Sequence, residues 1–460
     1  MVSGARIPQG HPTRRPPSDC RRQLALSSSS DPALPEAGER AWRRGGRLLA
    51  AAGLLAILVA TLTPSDDPRR ASFLTPLLCL ICGEQGGADV AANLLLFLPF
   101  AMGLRLAGWS WRRTVAAAAS VSFTVELLQY LIITGRDASL SDVLTNTASG
   151  AMGAALGGVL PALTAPSPVR ATRLLVGALA GPLALLAAWA WLLGPDMPRG
   201  RLMSRWAHVA PGIDVFEGRV RSVRLNGRAM PADGPPPDAR RLRTEVAGGA
   251  IDLAAEVTSG APVRIASWIY MFRVPSGGAV TLSQLRRRAV FAVPARALRF
   301  HFFPPTVTLA DAFPAEPGVP VTLRAVERRR DLVLSSSYGG RTRSVALGIT
   351  PAYGWILVSP FQFGGGTERW MTALCLLLLY LPAGYWAASI GRPTRAVAGL
   401  AAGISLALAA VSPAAGLAPA PWTEWLGALA GASFGWALRR AAANLQTRCV
   451  SPSVSESSSP

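Results

Sequence analysis

The stretch VELLQYLIITGRDASLSDVLTN, residues 125–146, places polar and charged side chains on both sides of one short turn in an otherwise apolar region. The residues concerned are Glu126, Gln129, Arg136, Asp137, Asp142 and Asn146. The flanking sequence is rich in Ala, Leu and Gly, in runs of the length that crosses a bilayer, about 20 residues. The stretch therefore predicts two membrane helices joined by a turn, with a polar cluster where they meet.

The composition favours a polytopic membrane protein, because half of the 460 residues are hydrophobic and only 16% are charged. The formal net charge of +20 comes from 46 basic residues, all of them arginine. These arginines are scattered through loops and are not interleaved with aromatic residues on one recognition surface. We therefore interpret them as membrane orientation signals and predict no nucleic-acid partner.

The apolar runs predict eight membrane spans, near residues 48–62, 88–107, 114–134, 142–161, 172–194, 368–390, 396–412 and 422–438. A cleaved signal peptide is the weaker interpretation of the first run, which lacks a small-residue cleavage site. Residues 1–46 and 441–460 are predicted to be disordered tails. With the N-terminus inside, each predicted cytoplasmic connection carries arginine. We therefore expect both termini in the cytoplasm and residues 195–367 outside the plasma membrane, with membrane lipids as partners.

Three helices are predicted to carry polar residues into the same outer half of the bilayer. Helical spacing puts each of three pairs on one helix face: Asp89 with Asn93, Glu126 with Gln129, and Asp142 with Asn146. Since carboxylates facing lipid are unfavourable, the faces should turn inward, with Arg136 as counter-charge, and form an outward-open polar pocket. The alternative is that these side chains only join helices, beside the small-residue stripe SGAMGAALGG at 149–158.

These residues resemble the signature of VanZ-like membrane proteins. The segments ADVAANLLLFLPFAMGL, VELLQYLIITGR and SDVLTNTASGAMGAALG follow the family pattern, and the resemblance covers residues 48–160. The matching positions are Asp89, Asn93, Phe97, Pro99, Glu126, Gln129, Arg136, Asp142, Asn146 and Gly150, of which we assign structural roles to Phe97, Pro99 and Gly150. The resemblance implies a multi-pass bacterial envelope protein, in a family named for a member associated with teicoplanin resistance.

The C-terminal apolar region resembles the first one at a constant offset. Residues 397–438 align without a gap on 115–156 at an offset of 282, and LLLLYLPA resembles NLLLFLPF at an offset of 283. This pattern predicts an internal repeat, with both copies in the same orientation. Glu126 falls on Leu408 and Asn146 on Ala428, so the second copy is expected to support the first.

Residues 195–367 have the sequence pattern of an all-β domain. Short alternating runs such as GRVRSVRL and RTRSVALGI are separated by NG, PSGG and YGGR, and Asn226-Gly227 predicts a two-residue hairpin. One half-buried sheet face needs another, so a β-sandwich is the expected packing. The strand order resembles laminin-G or concanavalin-like sandwiches, which often bind carbohydrate. A spacer without a ligand is the alternative.

Chemistry beyond the polar cluster finds little support in the sequence. The three histidines lie beside no metal-ligand pattern, and we predict no metal site and no cofactor. Cys79 and Cys82 are either a small disulfide loop or buried apolar side chains. The polar cluster is expected to bind a cell-wall, lipid-linked or glycopeptide ligand. The alternatives are a membrane-embedded enzyme that uses the same carboxylates, and an assembly protein that recognises glycan through the sandwich.

Overall fold

The computed structural model describes residues 36–63, 85–133, 139–208, 215–274, 277–359 and 366–450. Arg136, Cys79 and Cys82, which the sequence singled out, lie outside these residues. The chain has two helical regions, and an antiparallel β domain lies between them in sequence. This confirms the predicted fold class of a helical membrane protein with an inserted β-sandwich.

The first helical region contains α1 (Glu36–Leu62), α2 (Gly86–Leu96), α3 (Leu98–Leu106), α4 (Trp111–Leu131), α5 (Leu140–Thr164) and α6 (Pro168–Leu193). Within the β domain lies α7 (Ala239–Ala247). The second region contains α8 (Thr367–Ala387), α9 (Pro393–Ser405), a π-helical turn (Leu406–Ala410), α10 (Val411–Ala414) and α11 (Trp422–Val450). Both predicted tails are therefore partly helical, since α1 begins at Glu36 and α11 runs to Val450.

Seven helical segments of the described chain are long and apolar enough to cross a membrane, which fits a multi-pass protein. They comprise 38–62, 86–106, 111–131, 140–164, 168–193, 367–387 and 393–414. The eighth predicted span, 422–438, falls in α11, which is a helix but is not among the seven. Glycines let α11 pack closely on α8: a Cβ added at Gly384 would lie 1.8 Å from the Ala432 carbonyl oxygen.

The predicted tail boundary fails at α1 for a physical reason. Arg43 and Glu39 form an ion pair one turn apart, and Gly46 lies directly against α3. A Cβ at Gly46 would come within 2.7 Å of the Gly103 carbonyl oxygen, so the two backbones touch. Residues 36–46 therefore extend the first apolar helix instead of preceding it as a coil.

Among the described residues, twelve strands form two antiparallel sheets of six. The first sheet has the order β4-β1-β6-β7-β8-β9 and the second β12-β11-β10-β5-β2-β3. In chain order the strands are β1 (Met203–Trp206), β2 (Arg219–Leu225), β3 (Arg228–Ala229), β4 (Asp233–Gly234), β5 (Ala250–Thr258), β6 (Val263–Val274), β7 (Gly277–Arg286), β8 (Arg288–Ala292), β9 (Thr306–Leu309), β10 (Pro320–Arg328), β11 (Asp331–Tyr338) and β12 (Arg341–Gly348).

The alternating pattern buries one face of each central strand in a shared core. In β10 the buried residues are Val321, Leu323 and Ala325, and their neighbours Thr322 and Arg324 are exposed. The predicted hairpin at Asn226-Gly227 joins β2 and β3, and both residues have positive φ, 51° and 78°. This is the backbone of a type I′ turn, which suits the twist of paired strands.

The sandwich sits directly on the ends of the helices. Residue Pro195, which follows α6, bridges to Ala295, and the Ile349 carbonyl oxygen accepts from the Ala418 amide 3.0 Å away. The Gly87 amide, at the start of α2, donates to the His301 carbonyl oxygen at 3.1 Å. The two helical regions also meet: Tyr385 Oη donates to the Thr164 carbonyl oxygen at 2.7 Å.

Candidate functional site

The polar cluster lies near the start of α2, where that helix contacts the sandwich, and at the end of α4 and the start of α5. Small residues allow these helices to pack closely. A Cβ at Gly150 would lie 2.4 Å from Ala118 Cβ, so α5 and α4 can touch only because position 150 is glycine. The helix breaks between α2 and α3 at Phe97, which is fully buried, and Pro99 begins the next helix. The proline cannot supply the amide that would continue α2.

Asn93 and Asp142 join α2 to α5. Asn93 Nδ2 donates to Asp142 Oδ1 at 2.8 Å, and both residues are only half-buried. Asp89, one turn before Asn93, is exposed. Asp89 and Asp142 thus keep solvent-exposed surface in this part of the cluster.

Glu126 and Gln129 lie on the buried face of α4, as their spacing predicts, and each is 7% exposed. Glu126 Oε2 accepts from the Ser139 amide at 2.7 Å, which fixes the start of α5 over the end of α4. Gln129 Nε2 donates to the Thr61 carbonyl oxygen at 2.9 Å and joins α4 to α1.

Asn146 is almost fully buried and joins α5 to α4 through Ser122. Its Nδ2 donates to Ser122 Oγ at 2.9 Å, while its Oδ1 has no hydrogen-bond partner among the described residues. One turn further along α5, Ser149 Oγ donates to the Leu94 carbonyl oxygen at 2.6 Å. These contacts give Asn146 and Ser149 a role in helix packing.

Sequence reasoning missed the small polar partners of the cluster. Thr61, Ser122 and Ser139 supply the atoms that pair with Gln129, Asn146 and Glu126. Ser149 instead donates to the Leu94 carbonyl oxygen and holds α5 against α2. A usable signal was present for Ser139, because serine before an apolar helical run is a common N-cap, and Ser139 Oγ accepts from the Ser141 amide. The other three gave no signal that distinguishes them from ordinary helix residues.

The described residues hold no group of three or more His, Cys, Asp or Glu that could bind a metal ion. A cavity of about 280 Å³ lies in the second helical region, between Leu408, Pro413, Leu417 and Trp425. Its lining is apolar. The predicted outward-open pocket at the polar cluster remains a prediction.

Comparison with known proteins identifies the first helical region. Residues 50–160 match the family described as VanZ/LLP1, so the chain contains a VanZ-like domain there. The match begins at Ala50, within α1, and ends at residue 160, within α5, so it includes the whole polar cluster. No curated protein and no solved structure matches the chain.

Proposed function

We propose that this chain acts in a bacterial cell envelope by binding the polar part of a cell-wall, lipid-linked or glycopeptide ligand at its VanZ-like domain. The contacting groups would be Asp89, Asn93 and Asp142, and Arg136 would pair with an anionic group of the ligand or with Glu126. Glu126 is buried and would hold the start of α5 in position through the Ser139 amide. The observation that carries the proposal is the accessible acidic pair, exposed Asp89 and half-buried Asp142, at the helix ends under the sandwich.

The cluster divides into packing and binding residues by exposure. Gln129 and Asn146 are buried and hydrogen-bonded to neighbouring helices, which is how amides join membrane helices. Asp89, Asn93 and Asp142 keep exposed surface, and ionisable groups in membrane helices are retained mostly for function. Ligand contact is therefore assigned to the acidic edge of the cluster, and Gln129 and Asn146 hold that edge in position.

The sandwich is proposed to lie outside the membrane and to position the ligand. Two amides at the start of α2, those of Gly87 and Ala88, donate to the His301 carbonyl oxygen at 3.1 and 3.2 Å. Asp89 follows directly, so the sandwich is fixed within one helical turn of the acidic edge. A ligand bound at Asp89 would therefore be within reach of the residues around His301.

The second helical region is proposed to be a copy of the first that has lost the site. Two close approaches correspond: Ser149 Oγ donates to the Leu94 carbonyl oxygen, and a Cβ added at Gly431 would meet the Leu377 carbonyl oxygen at 2.2 Å. Likewise, Cβ atoms added at Gly153 and Gly435 would meet the carbonyl oxygens of Leu98 and Leu381, at 2.5 and 2.0 Å. These pairs are related by the offsets of 282 and 283.

The carboxylate that survives in this copy has a different environment. Glu424 falls on Asp142 at the offset of 282, but it is 3% exposed and accepts a hydrogen bond from Thr350 of the sandwich. Leu408, which falls on Glu126, lines the apolar cavity. Glu424 is therefore a suitable control residue, since it is a buried carboxylate outside the proposed site.

The test is direct binding by the full chain in lipid nanodiscs. The probes are teicoplanin, vancomycin and a lipid-linked disaccharide–peptide precursor of the cell wall, each titrated by microscale thermophoresis. We expect saturable binding of at least one probe, weakened about tenfold by Asp142→Asn, because a charge-assisted hydrogen bond contributes roughly 1.5–3 kcal/mol.

Glu424→Gln is the matched control and should bind like the wild type. If no probe binds, or if Asp142→Asn and Glu424→Gln weaken binding equally, the proposed site is wrong. Release of a cleaved product during the titration would instead support an enzyme.

A further inference from the structure

Half of the arginines of the chain lie in the sandwich segment, away from the short loops beside the membrane helices. Residues 195–367 contain 23 of the 46 arginines and 12 acidic residues, a net charge of +11. Charges orient a membrane protein only in short loops close to the spans, whereas long domains cross membranes largely regardless of charge. The interpretation of the arginines as orientation signals therefore does not account for half of them.

Five of these arginines meet at one end of the sandwich, which we call the arginine tip: Arg286, Arg287, Arg288, Arg341 and Arg343. Three come from the β7–β8 turn in the first sheet and two from the start of β12 in the second. Asp311, just after β9, ties the turn to the strand. Its Oδ1 lies 3.4 Å from Arg287 Nη1 and its Oδ2 lies 3.2 Å from Arg343 Nη1.

Backbone and side-chain contacts hold the arginine tip in place. The Phe313 amide donates to the Arg287 carbonyl oxygen at 3.2 Å, and Arg287 Nε donates to the Phe313 carbonyl oxygen at the same distance. Tyr338 Oη donates to the Asp311 carbonyl oxygen at 3.2 Å. The guanidinium groups are thus presented on a framework that is already ordered, while Arg286, Arg288 and Arg341 remain exposed.

The arginine tip points away from the helices. Strand β12 runs from Arg341 to Gly348, and a Cβ at Gly348 would lie 2.8 Å from Ala418 Cβ of the second helical region. Seven steps of about 3.3 Å put Arg341 roughly 23 Å beyond that contact. Strand β8 runs in the same sense, from Arg288 towards Ala295, which bridges to Pro195 at the end of α6.

We propose that the arginine tip binds an anionic polymer of the cell envelope, one whose repeating units carry phosphate or carboxylate groups. The five guanidinium groups of the arginine tip and the carboxylate of Asp311, which pairs with two of them, together carry a charge of about +4. Planar guanidinium groups pair with phosphate and carboxylate in a bidentate geometry. The position far from the helices favours a polymer over the lipid headgroups of the membrane that holds the chain. This site is independent of the VanZ-like cluster.

The test measures binding of the full chain in neutral-lipid nanodiscs to fluorescent inorganic polyphosphate, poly-glutamate and neutral dextran, by fluorescence anisotropy. The tip variant is R286Q/R288Q/R341Q, which leaves both ion pairs of Asp311 intact. The control variant is R219Q/R224Q/R328Q, which removes the same charge from the exposed face of the second sheet. Thermal unfolding of both variants checks that the sandwich stays folded.

We expect polyphosphate or poly-glutamate, but not dextran, to bind the wild type. The affinity should fall at least tenfold when NaCl rises from 50 to 500 mM, because the Debye length falls from roughly 14 to 4 Å. The tip variant should lose about tenfold in affinity and the control variant less than threefold. The two anionic probes separate phosphate from carboxylate recognition.

Equal losses of affinity in the two variants would mean that binding depends only on net charge, and would overturn the proposal. Binding of neither polymer, or tighter binding to vesicles of anionic lipid than to both polymers, would also overturn it. Asp142→Asn should leave polymer binding unchanged, so failure of the VanZ-like site and failure of the arginine tip can be told apart.

Discussion

The buried ion pair of the sandwich offers a sharp test of how the domain is held together. Arg330 Nη1 lies 2.6 Å from Glu327 Oε1, and the two side chains are 1% and 0% exposed. Arg330 Nη2 also donates to the Pro294 carbonyl oxygen at 3.1 Å, which connects the second sheet to the chain leaving β8. Glu327→Gln keeps the shape of the side chain but leaves a guanidinium buried without its counter-charge.

Removing one partner of a buried ion pair destabilises a protein by about 3–5 kcal/mol, because the remaining charge is left desolvated. For a domain of 150–250 residues, each kcal/mol lowers the unfolding temperature by roughly 2–4 °C. Glu327→Gln should therefore lower the unfolding temperature of the sandwich by about 6–20 °C. The transition can be followed by tryptophan fluorescence in detergent, since Trp206, Trp268 and Trp355 lie in the sandwich segment.

The control is Asp252→Asn, which breaks the more exposed pair of Asp252 with Arg324, 2.8 Å apart. Surface pairs contribute about 0–1 kcal/mol, so this variant should shift the transition by less than about 4 °C. Replacing both members, as Glu327→Leu with Arg330→Met, should recover much of the loss. If Glu327→Gln shifts the transition by less than 2 °C, or by no more than the control does, the buried ion pair does not hold the domain together as described.

Two further predictions concern the sandwich and the second helical region. Hydrogen bonds from Arg228, Asn226 and Arg241 lower the pKa of Glu245 to about 2. Above its ordinary pKa of 4.5, the ionised form of Glu245 therefore stabilises the fold. The wild type should unfold at a higher temperature than Glu245→Gln at pH 6, and this difference should shrink as the pH falls to 3. A difference that stays constant with pH would contradict this. Gly384→Leu should disrupt the contact of α8 with α11, because its Cβ would lie 1.8 Å from the Ala432 carbonyl oxygen. The monodisperse fraction in size-exclusion chromatography should fall. Gly399→Leu is the control and should leave that fraction unchanged, since a Cβ at Gly399 has nothing within 4 Å.

The length of the apolar runs and the alternation of polar and apolar residues predict most of the fold. The predicted spans at 114–134 and 142–161 lie within three residues of the starts of α4 and α5, because a proline- or serine-capped apolar run fixes a helix closely. The polar helix α7 and the short strand β4 escaped prediction. The apolar periodicity of α7 is limited to buried Leu242 and Val246, four residues apart, and tertiary contacts such as the ion pair of Arg228 with Glu245 at 2.9 Å fix its position.

The polar cluster was predictable as a set, but its internal contacts were not. Helical spacing puts Glu126 and Gln129 on one face, and both are buried. Spacing cannot show that Glu126 meets the Ser139 amide while Gln129 reaches the Thr61 carbonyl oxygen, since that depends on how α4 is rotated against α1 and α5. For the same reason, spacing cannot show that Asn93 on α2 donates to Asp142 on α5.

The central claim is that the acidic edge of the VanZ-like domain carries the function of this chain. The most direct measurement is the teicoplanin and vancomycin susceptibility of a sensitive Gram-positive host that expresses the wild type, Glu126→Gln, Asp142→Asn or Glu424→Gln at matched membrane levels. We expect the wild type and Glu424→Gln to protect the host against the antibiotics, and Glu126→Gln and Asp142→Asn to lose this protection. Protection that is equal in all four, or absent from all four, would contradict it.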